Sequence, residues 1–347
     1  MCPHVHTMDY DSTMSSSREN PVQHTMRSVL SVQSHVAHGY VGNKAATFPL
    51  QFLGWDVETI NTVNFSNHTG YGSVRGNSIT ATDMAAIFKG LSEIRCTHDA
   101  IISGYIPSAE LIDVLAYNVN CIKTENPDLL YICDPVMGDQ GHLYVDDSCV
   151  EAYKRLLSTG KVDIITPNQF ELELLCGFEI ESQDTLLEAV TRVTKTYNVK
   201  HVVVSSLCGA IINESGVSDS LYCAVFSAEE CRLVLFKIPV IESYFTGVGD
   251  LFTALLLDKF CSNKDNISRA VNQVLTIMAD VLHLTHTLGI EDYCRQNKIS
   301  AADINDKNIL KSKMNDGDSM RFFELRIIES KRFYGYDQDG IFKPLLI

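Results

Sequence analysis

Short apolar runs and segments of helical period take turns along most of the chain, and this alternation limits the fold more than any other feature. Strand-like runs recur at Ser28–Val32, Val57–Val63, Ala100–Ser103, Leu129–Cys133, Asp163–Ile165 and His201–Val204. Between and after them lie helical-period segments at Asp83–Ile94, Ala109–Lys123, Asp184–Tyr197 and Asp250–Phe260. A helix that carries the chain from one strand to the next returns it parallel to the first. The alternation therefore predicts an α/β fold, a mostly parallel sheet covered by helices on both faces. Two later runs, Leu221–Phe226 and Leu233–Ile238, follow each other without a helix and predict an antiparallel edge. Ile267–Leu288 reads as a long helix behind two capping candidates, Asp265 and Asn266. Residues 297–320 are polar and read as a surface excursion, with order resuming near Phe322–Ile328.

Residues 1–26 are rich in Ser, Thr and His, lack an apolar signal segment and carry three acids, so they read as a disordered tail before one folded domain over 27–347. No apolar run has the ~18–20 residues of a membrane span; Asp280, His283 and His286 interrupt the best candidate. The formal net charge of -15 argues against a nucleic-acid backbone or an anionic membrane as partner. An anionic ligand must then be held locally, by backbone amides, a few cations or a metal. Eleven cysteines without a CxxC pair suit reduced thiols in an intracellular compartment, expected to be the cytoplasm with the nucleus as an alternative. The His35/His38 and His283/His286 pairs lack zinc-ligand company.

In such a sheet, ligands bind beyond the carboxyl ends of the strands, so motifs that follow strands carry the weight. There is no GxxxxGK[ST]; residues 39–44 imitate one with the wrong spacing. Gly247-Val248-Gly249-Asp250 stands at the start of a helix, where bare amides and the helix dipole favour an anion. Asp250 there can be a helix cap or a general base beside a phosphoryl group. The strand ending at Cys133 runs into Asp134-Pro135-Val136-Met137-Gly138-Asp139, two carboxylates at a carboxyl end. The strand ending at Ile165 runs into Thr166-Pro167-Asn168-Gln169-Phe170-Glu171, which suits either a Thr166 cap with Pro167 at the first helical position or an amide and a carboxylate facing a phosphate. Carboxylates and an amide around a phosphate are what a hydrated Mg²⁺ requires. Ser34 and the polar loop Asn64–Gly72 follow the first two strands.

Taken in order, SVQSHVAHGYVGNKAATFPLQFLGWDVETINTVNFSNHTGYG, CDPVMGDQGHLYV, DIITPNQFELELL, YFTGVGDLF and ELRIIESKR closely resemble stretches of pyridoxal kinase, a family of ribokinase-like ATP-dependent kinases. The resemblance covers about residues 28–330, and its wording is nearest to fungal members. It implies the three-layer α/β/α ribokinase-like fold and phosphorylation of the 5′-hydroxymethyl group of pyridoxal, pyridoxine and pyridoxamine in vitamin B6 salvage. ATP would be the co-substrate, Mg²⁺ or another divalent cation the metal, K⁺ an optional further ion, and the assembly a homodimer.

The same resemblance assigns roles. Ser34 and Thr69 would hold the polar groups of the pyridine ring, with Val41, Phe65 and Tyr105 lining its pocket. Asp250 would take the hydroxymethyl proton while the backbone of Gly247, Val248 and Gly249 holds the transferring phosphoryl. Asp134, Asn168, Glu171, Ser205 and Ser206 would surround the nucleotide phosphates, and Asp139, Thr166 and Glu171 the metal and its waters. Many members have Thr where this chain has Val248, which keeps the backbone donor and removes a hydroxyl. The rival expectations are a hydroxymethylpyrimidine or sugar kinase of the same superfamily, or a silent protein that binds pyridoxal 5′-phosphate.

Overall fold

The computed structural model describes residues 27–212, 220–263, 266–299 and 311–347. The expected tail at 1–26 and the capping candidate Asp265 lie outside them. The chain opens with β1 (Arg27–Val36), α1 (Asn43–Phe52), β2 (Trp55–Phe65), β3 (Gly76–Ser78), α2 (Ala81–Glu93), β4 (Ala100–Ser103), α3 (Ala109–Glu125) and β5 (Leu130–Cys133). A small hairpin follows, β6 (Gly138–Asp139) and β7 (His142–Leu143), then α4 (Ser148–Ser158), β8 (Ile164–Ile165), α5 (Gln169–Cys176), α6 (Gln183–Tyr197), β9 (His201–Cys208) and α7 (Gly209–Ile212). The last part holds β10 (Leu221–Ser227), β11 (Arg232–Ile238), α8 (Val248–Ser262), α9 (Ile267–Asn297), α10 (Gly317–Met320), α11 (Lys331–Tyr334) and β12 (Pro344–Leu346).

Ten strands form one sheet in the order β12-β11-β10-β9-β8-β5-β4-β1-β2-β3. The run from β9 through β8, β5, β4 and β1 to β2 is parallel. The expected antiparallel edge is present as β10, β11 and β12, and β3 closes the other end antiparallel to β2. Central strands bury both faces, as parallel strands under two helical layers must. In β1, Leu30 and Val32 point to the layer of α2, α3, α4 and α6, while Val29 points to the layer of α1, α8 and α9. β4 repeats this, with Ile101 on the first face and Ile102 on the second.

Helix starts follow local chemistry. Thr80, Ser108, Ser182 and Asn266 each accept a backbone N–H from the first turn of the helix they precede, satisfying an amide that has no partner inside the helix. The alternation read from the sequence leaves out α1 and α4. Pro49 inside α1 removes an internal hydrogen bond and masks its helical character, and packing under β1, β2 and α8 holds it. α4 carries a sound apolar stripe, Cys149, Tyr153, Leu156 and Leu157. α9 runs nine residues beyond the expected Leu288, to Asn297. Of the polar segment 297–320, residues 300–310 lie outside the description; in the rest, Ser312, Ser319 and Met320 are buried, and Asn315 N–H donates to Gly70 O at 2.7 Å. Near Phe322–Ile328 the chain buries Phe322, Phe323, Leu325 and Ile327 but is folded in turns, not in a regular element, and Ile328 is exposed.

At the amino end of the sheet, buried Asp163 accepts from the Tyr131 amide at 2.9 Å, pairs with buried Lys123 and reaches Lys200 at 2.8 Å. Asp163→Ala would strand the Lys123 ammonium in the interior, so stability should fall by about 3–5 kcal/mol. Urea unfolding curves check this, and a midpoint unchanged from the parent would show that the pair is dispensable.

Candidate active site

The strand order reverses direction at β1, which has β2 on one side and β4 on the other, and the crevice beyond their carboxyl ends receives the candidate residues. β1 and β2 change register there. Between Gln33 and His35 the partner strand advances one residue further, from Asn61 to Asn64, which places buried Ser34 at an irregularity of the kind that re-aims side chains at sites. Two tight approaches shape this corner. A Cβ on Gly42 would lie 2.1 Å from Ser34 O, and one on Gly247 would lie 1.9 Å from Tyr40 O; both residues have positive φ. Only glycine permits the 40–42 turn to lie against both β1 and the start of α8.

α8 begins without a side-chain cap. Gly247 occupies the capping position with φ 76°, and Val248 and Gly249 follow as its first residues. Asp250 lies in the first turn and does not cap the helix, which removes the structural alternative for that residue. Burial pushes the Asp250 carboxyl above the usual carboxylate range, opposed by a hydrogen bond from the Gly42 backbone. Asp250 also sits close over the end of β4: a Cβ on Gly104 would lie 3.3 Å from Asp250 Oδ1 and 2.7 Å from Gln33 Oε1. A proton acceptor is thus held beside uncapped amides, in a partly dry corner.

The second half of the site gathers carboxylates. A Cβ on Gly249 would lie 3.2 Å from Asp134 Oδ2, so Asp134 abuts the glycine turn. Burial, then the charges of Glu171 and Asp250, raise Asp134 well above its ordinary value, while a Thr166 side-chain hydrogen bond opposes them. Thr166 Oγ1 also lies 3.1 Å from Thr253 Oγ1, one turn along α8. Glu171 Oε1 accepts the amides of Met137 at 2.9 Å and Gly138 at 3.4 Å, and Oε2 accepts that of Asn168 at 2.8 Å. Burial pushes Glu171 up to about 7 in spite of these three donors. Burial also raises Asp139, on the small hairpin.

The cap of α5 is Asn168, not Thr166. Asn168 and Glu171 exchange hydrogen bonds as a capping box, and Asn168 Nδ2 donates to Gly138 O at 2.7 Å. These two residues therefore close the helix start and bind it to the small hairpin that carries Asp139. Ser205 N–H donates to Pro167 O at 3.0 Å, which brings the middle of β9, with Ser206 next in line, to the same turn.

The ring-pocket candidates lie on the turns and strand ends of the first half of the chain, Val41 directly against Gly247. Val41 is buried, and Phe65 and Tyr105 are half-buried at the ends of β2 and β4. Thr62 Oγ1 donates to Tyr105 O at 2.7 Å and ties those strand ends together. Thr69 opens a short 3₁₀ turn, Thr69–Tyr71, and is exposed. Val248 packs against the core of the α8 layer. Sequence reasoning missed Gln33, Asn43, Gly42 and Glu324. Asn43 accepts from Ser31 and donates to the carbonyl of Ile60 at 3.1 Å and to Asn61 at 2.8 Å, which fixes α1 against β1 and β2. Nothing local in the sequence marks such a residue, because its partners lie on three separate strand and helix positions.

The oxygen donors Asp134, Asp139, Glu171 and Thr166 suit a hard divalent cation, and the mutual repulsion of Asp134 and Glu171 is what such an ion would relieve. A different cluster, Glu58, Cys96 and His98, has ligand atoms within 4.8 Å of one another. It lies at the amino ends of β2 and β4, remote in the topology from the carboxyl-end crevice. Its members satisfy each other, His98 Nε2 to Glu58 at 2.8 Å and the Cys96 thiol to Glu58 at 3.2 Å, and it takes no part in this site.

Comparisons agree with the geometry. The family model described as phosphomethylpyrimidine kinase matches residues 57–291. BUD16 of Saccharomyces cerevisiae is 40% identical over 320 residues, covering 89% of this chain and 95% of that protein. The pyridoxal kinase of Arabidopsis thaliana is 38% identical over 270 residues, covering 77% and 84%. The solved pyridoxal kinase of Leishmania donovani in complex with ADP and pyridoxamine aligns with a TM-score of 0.75 at 29% identity, covering 92% of this chain and 99% of that one. Of the two relatives compared by sequence, the fungal one has the higher identity, in line with the wording of the motifs. Sheet order, glycine turn, carboxylate cluster and near full-length similarity converge, and the chain belongs to the ribokinase-like pyridoxal kinase family.

Proposed function

We propose that this chain is an ATP-dependent pyridoxal kinase acting on the 5′-hydroxymethyl group of pyridoxal, pyridoxine and pyridoxamine. One observation carries the reading: Asp250 lies in the first turn of α8 behind an uncapped glycine start, whose Gly249 abuts Asp134, and Asp134 in turn feels the charges of Glu171 and Asp250. That arrangement has an acceptor for the hydroxyl proton, donors for the phosphoryl oxygens and ligands for a cation, in sequence. Phosphoryl transfer needs alignment and charge stabilisation more than covalent chemistry, so this set suffices.

Ser34 and Thr69 orient the ring, and Val41, Phe65 and Tyr105 exclude water from it. Asp250 accepts the hydroxymethyl proton as the oxygen attacks. The amides of Gly247, Val248 and Gly249 hold the transferring group's oxygens at the positive end of α8. Asn168, Glu171, Asp134, Ser205 and Ser206 face the nucleotide phosphates. Asp139, Thr166 and Glu171 would hold Mg²⁺ or another divalent cation, directly or through its waters, and that ion would supply neutralisation of phosphate charge. K⁺ is an optional further ion. Free cysteines throughout the described residues support a reducing compartment, and we place the enzyme in the cytoplasm; the homodimer rests on family membership alone.

The name of the matching family model favours a second reading, a hydroxymethylpyrimidine kinase. Both follow from one assay, formation of the phosphate ester from ATP and Mg²⁺ with pyridoxal, hydroxymethylpyrimidine and ribose in parallel. Turnover selective for pyridoxal is the expected result. Preference for hydroxymethylpyrimidine would transfer the reading to the second enzyme, and tight binding of pyridoxal 5′-phosphate without turnover would transfer it to a silent binding protein.

A further inference from the structure

Glu324 belongs to the turn-rich segment after α10 and is buried, with 8% of its surface exposed. Its Oε2 accepts the Tyr40 amide at 3.0 Å and the Thr246 hydroxyl at 3.4 Å, and its Oε1 accepts the Tyr71 hydroxyl at 2.6 Å. A buried carboxylate is tolerated only when it is well bonded, so these donors are what keeps it there. The approach is close enough to fix a neighbour's identity: a Cβ on Gly39, at φ +86°, would lie 2.5 Å from the carboxylate.

The three donors come from three different walls of the site. Tyr40 leads into the Val41–Gly42 turn, whose members contact Gly247 and Asp250. Tyr71 closes the turn that carries Thr69. Thr246 directly precedes the glycines at the start of α8. The same C-terminal segment touches the Thr69 turn a second time, through Asn315 N–H to Gly70 O at 2.7 Å. His68, next to that turn, bonds locally: its Nδ1 accepts the Gly70 amide at 3.0 Å, and burial lowers its pKa against the opposing charge of Glu324.

We propose that Glu324 is a positioning residue, which joins the ring-binding turn at 68–72 to the phosphoryl-transfer turn at 246–250 so that the bound hydroxymethyl group meets Asp250. This rests on the kinase reading above. Its mark is selectivity between substrates. Removing the tie loosens the vitamin pocket, while the ATP side keeps its own supports at Asn168, Glu171 and Ser205.

The test measures KM for pyridoxal and for ATP, with the melting temperature, in Glu324→Ala, Glu324→Gln, Tyr71→Phe and the Glu324→Ala/Tyr71→Phe double variant. Glu324→Ala should raise the pyridoxal KM about tenfold and leave the ATP KM within about twofold. Glu324→Gln keeps acceptor and shape, since the Tyr71 hydroxyl can turn to accept from the amide, and should recover most of the loss. Tyr71→Phe should raise the pyridoxal KM alone, and the double variant should be no worse than Glu324→Ala. Equal loss toward both substrates, or multiplying effects in the double variant, overturns the proposal. If Glu324→Ala does not fold, Tyr71→Phe decides it, an unchanged pyridoxal KM being the contrary result. If the parent prefers hydroxymethylpyrimidine, the kinase reading changes, and the same split measured with that alcohol still tests Glu324.

Discussion

Asp250→Asn will lower kcat for pyridoxal by about 10²–10⁴-fold while pyridoxal and ATP bind nearly as before. Asparagine keeps the size of the side chain but cannot take a proton. The parent enzyme should also show an acidic limb in kcat/KM, because Asp250 works only when deprotonated. Burial raises its pKa, so activity is lost as pH falls through a value above the ordinary carboxylate range. The variant should lack the part of that limb that belongs to Asp250, while the loss that follows protonation of Glu171 and Asp134 remains. Steady-state kinetics between pH 4 and 8 with isothermal titration of each substrate check both parts, and turnover within a few-fold of the parent would remove Asp250 from proton transfer.

Gly247→Ala is expected to be nearly as severe, for a steric reason. The new Cβ would lie 1.9 Å from Tyr40 O, in backbone at φ 76° that alanine adopts only at a cost of roughly 1–2 kcal/mol. The start of α8 must shift, and the amides aimed at the transferring phosphoryl shift with it. Loss of one such donor typically costs about 10²–10³-fold in kcat. Gly249→Ala offers a calibration: its Cβ would sit 3.2 Å from a side-chain oxygen of Asp134 at an ordinary φ, and a milder loss should follow. Kinetics and thermal melts of the two variants side by side test the ranking. A Gly247→Ala enzyme of normal melting temperature and near-normal kcat would show that the phosphoryl group is held elsewhere.

The parts of this molecule that a reader of the sequence can find are those written locally. Strand ends that run into Asp134 and Thr166 advertise a crevice, because in a parallel sheet chemistry collects where strands stop. The antiparallel edge was equally plain, since two strand-like runs without a helix between them have no other way to pair. The capping box was only half legible. Asn168 and Glu171 stand at the right spacing, but Thr166 and Pro167 offered a competing start, and only the fold shows which pair closes the helix. α1 was hidden by Pro49, whose cost to a helix is outweighed here by burial between sheet and α8. Glu324 could not be assigned a role from spacing at all, because its bond to Tyr40 spans 284 residues of chain.

That span has a kinetic side. Contacts between residues far apart in sequence form late, because the loop they close must be ordered first. Strands and helices from β1 to α6 can assemble from neighbouring segments, whereas the junction of the 40–42, 68–72 and 246–250 turns closes only when the segment around Glu324 docks. Until that segment docks, the vitamin side of the crevice stays unjoined, so a partly folded chain can hold much of its helix content without an organised ring pocket. Catalysis in this architecture reports complete folding, and spectroscopic helix content does not.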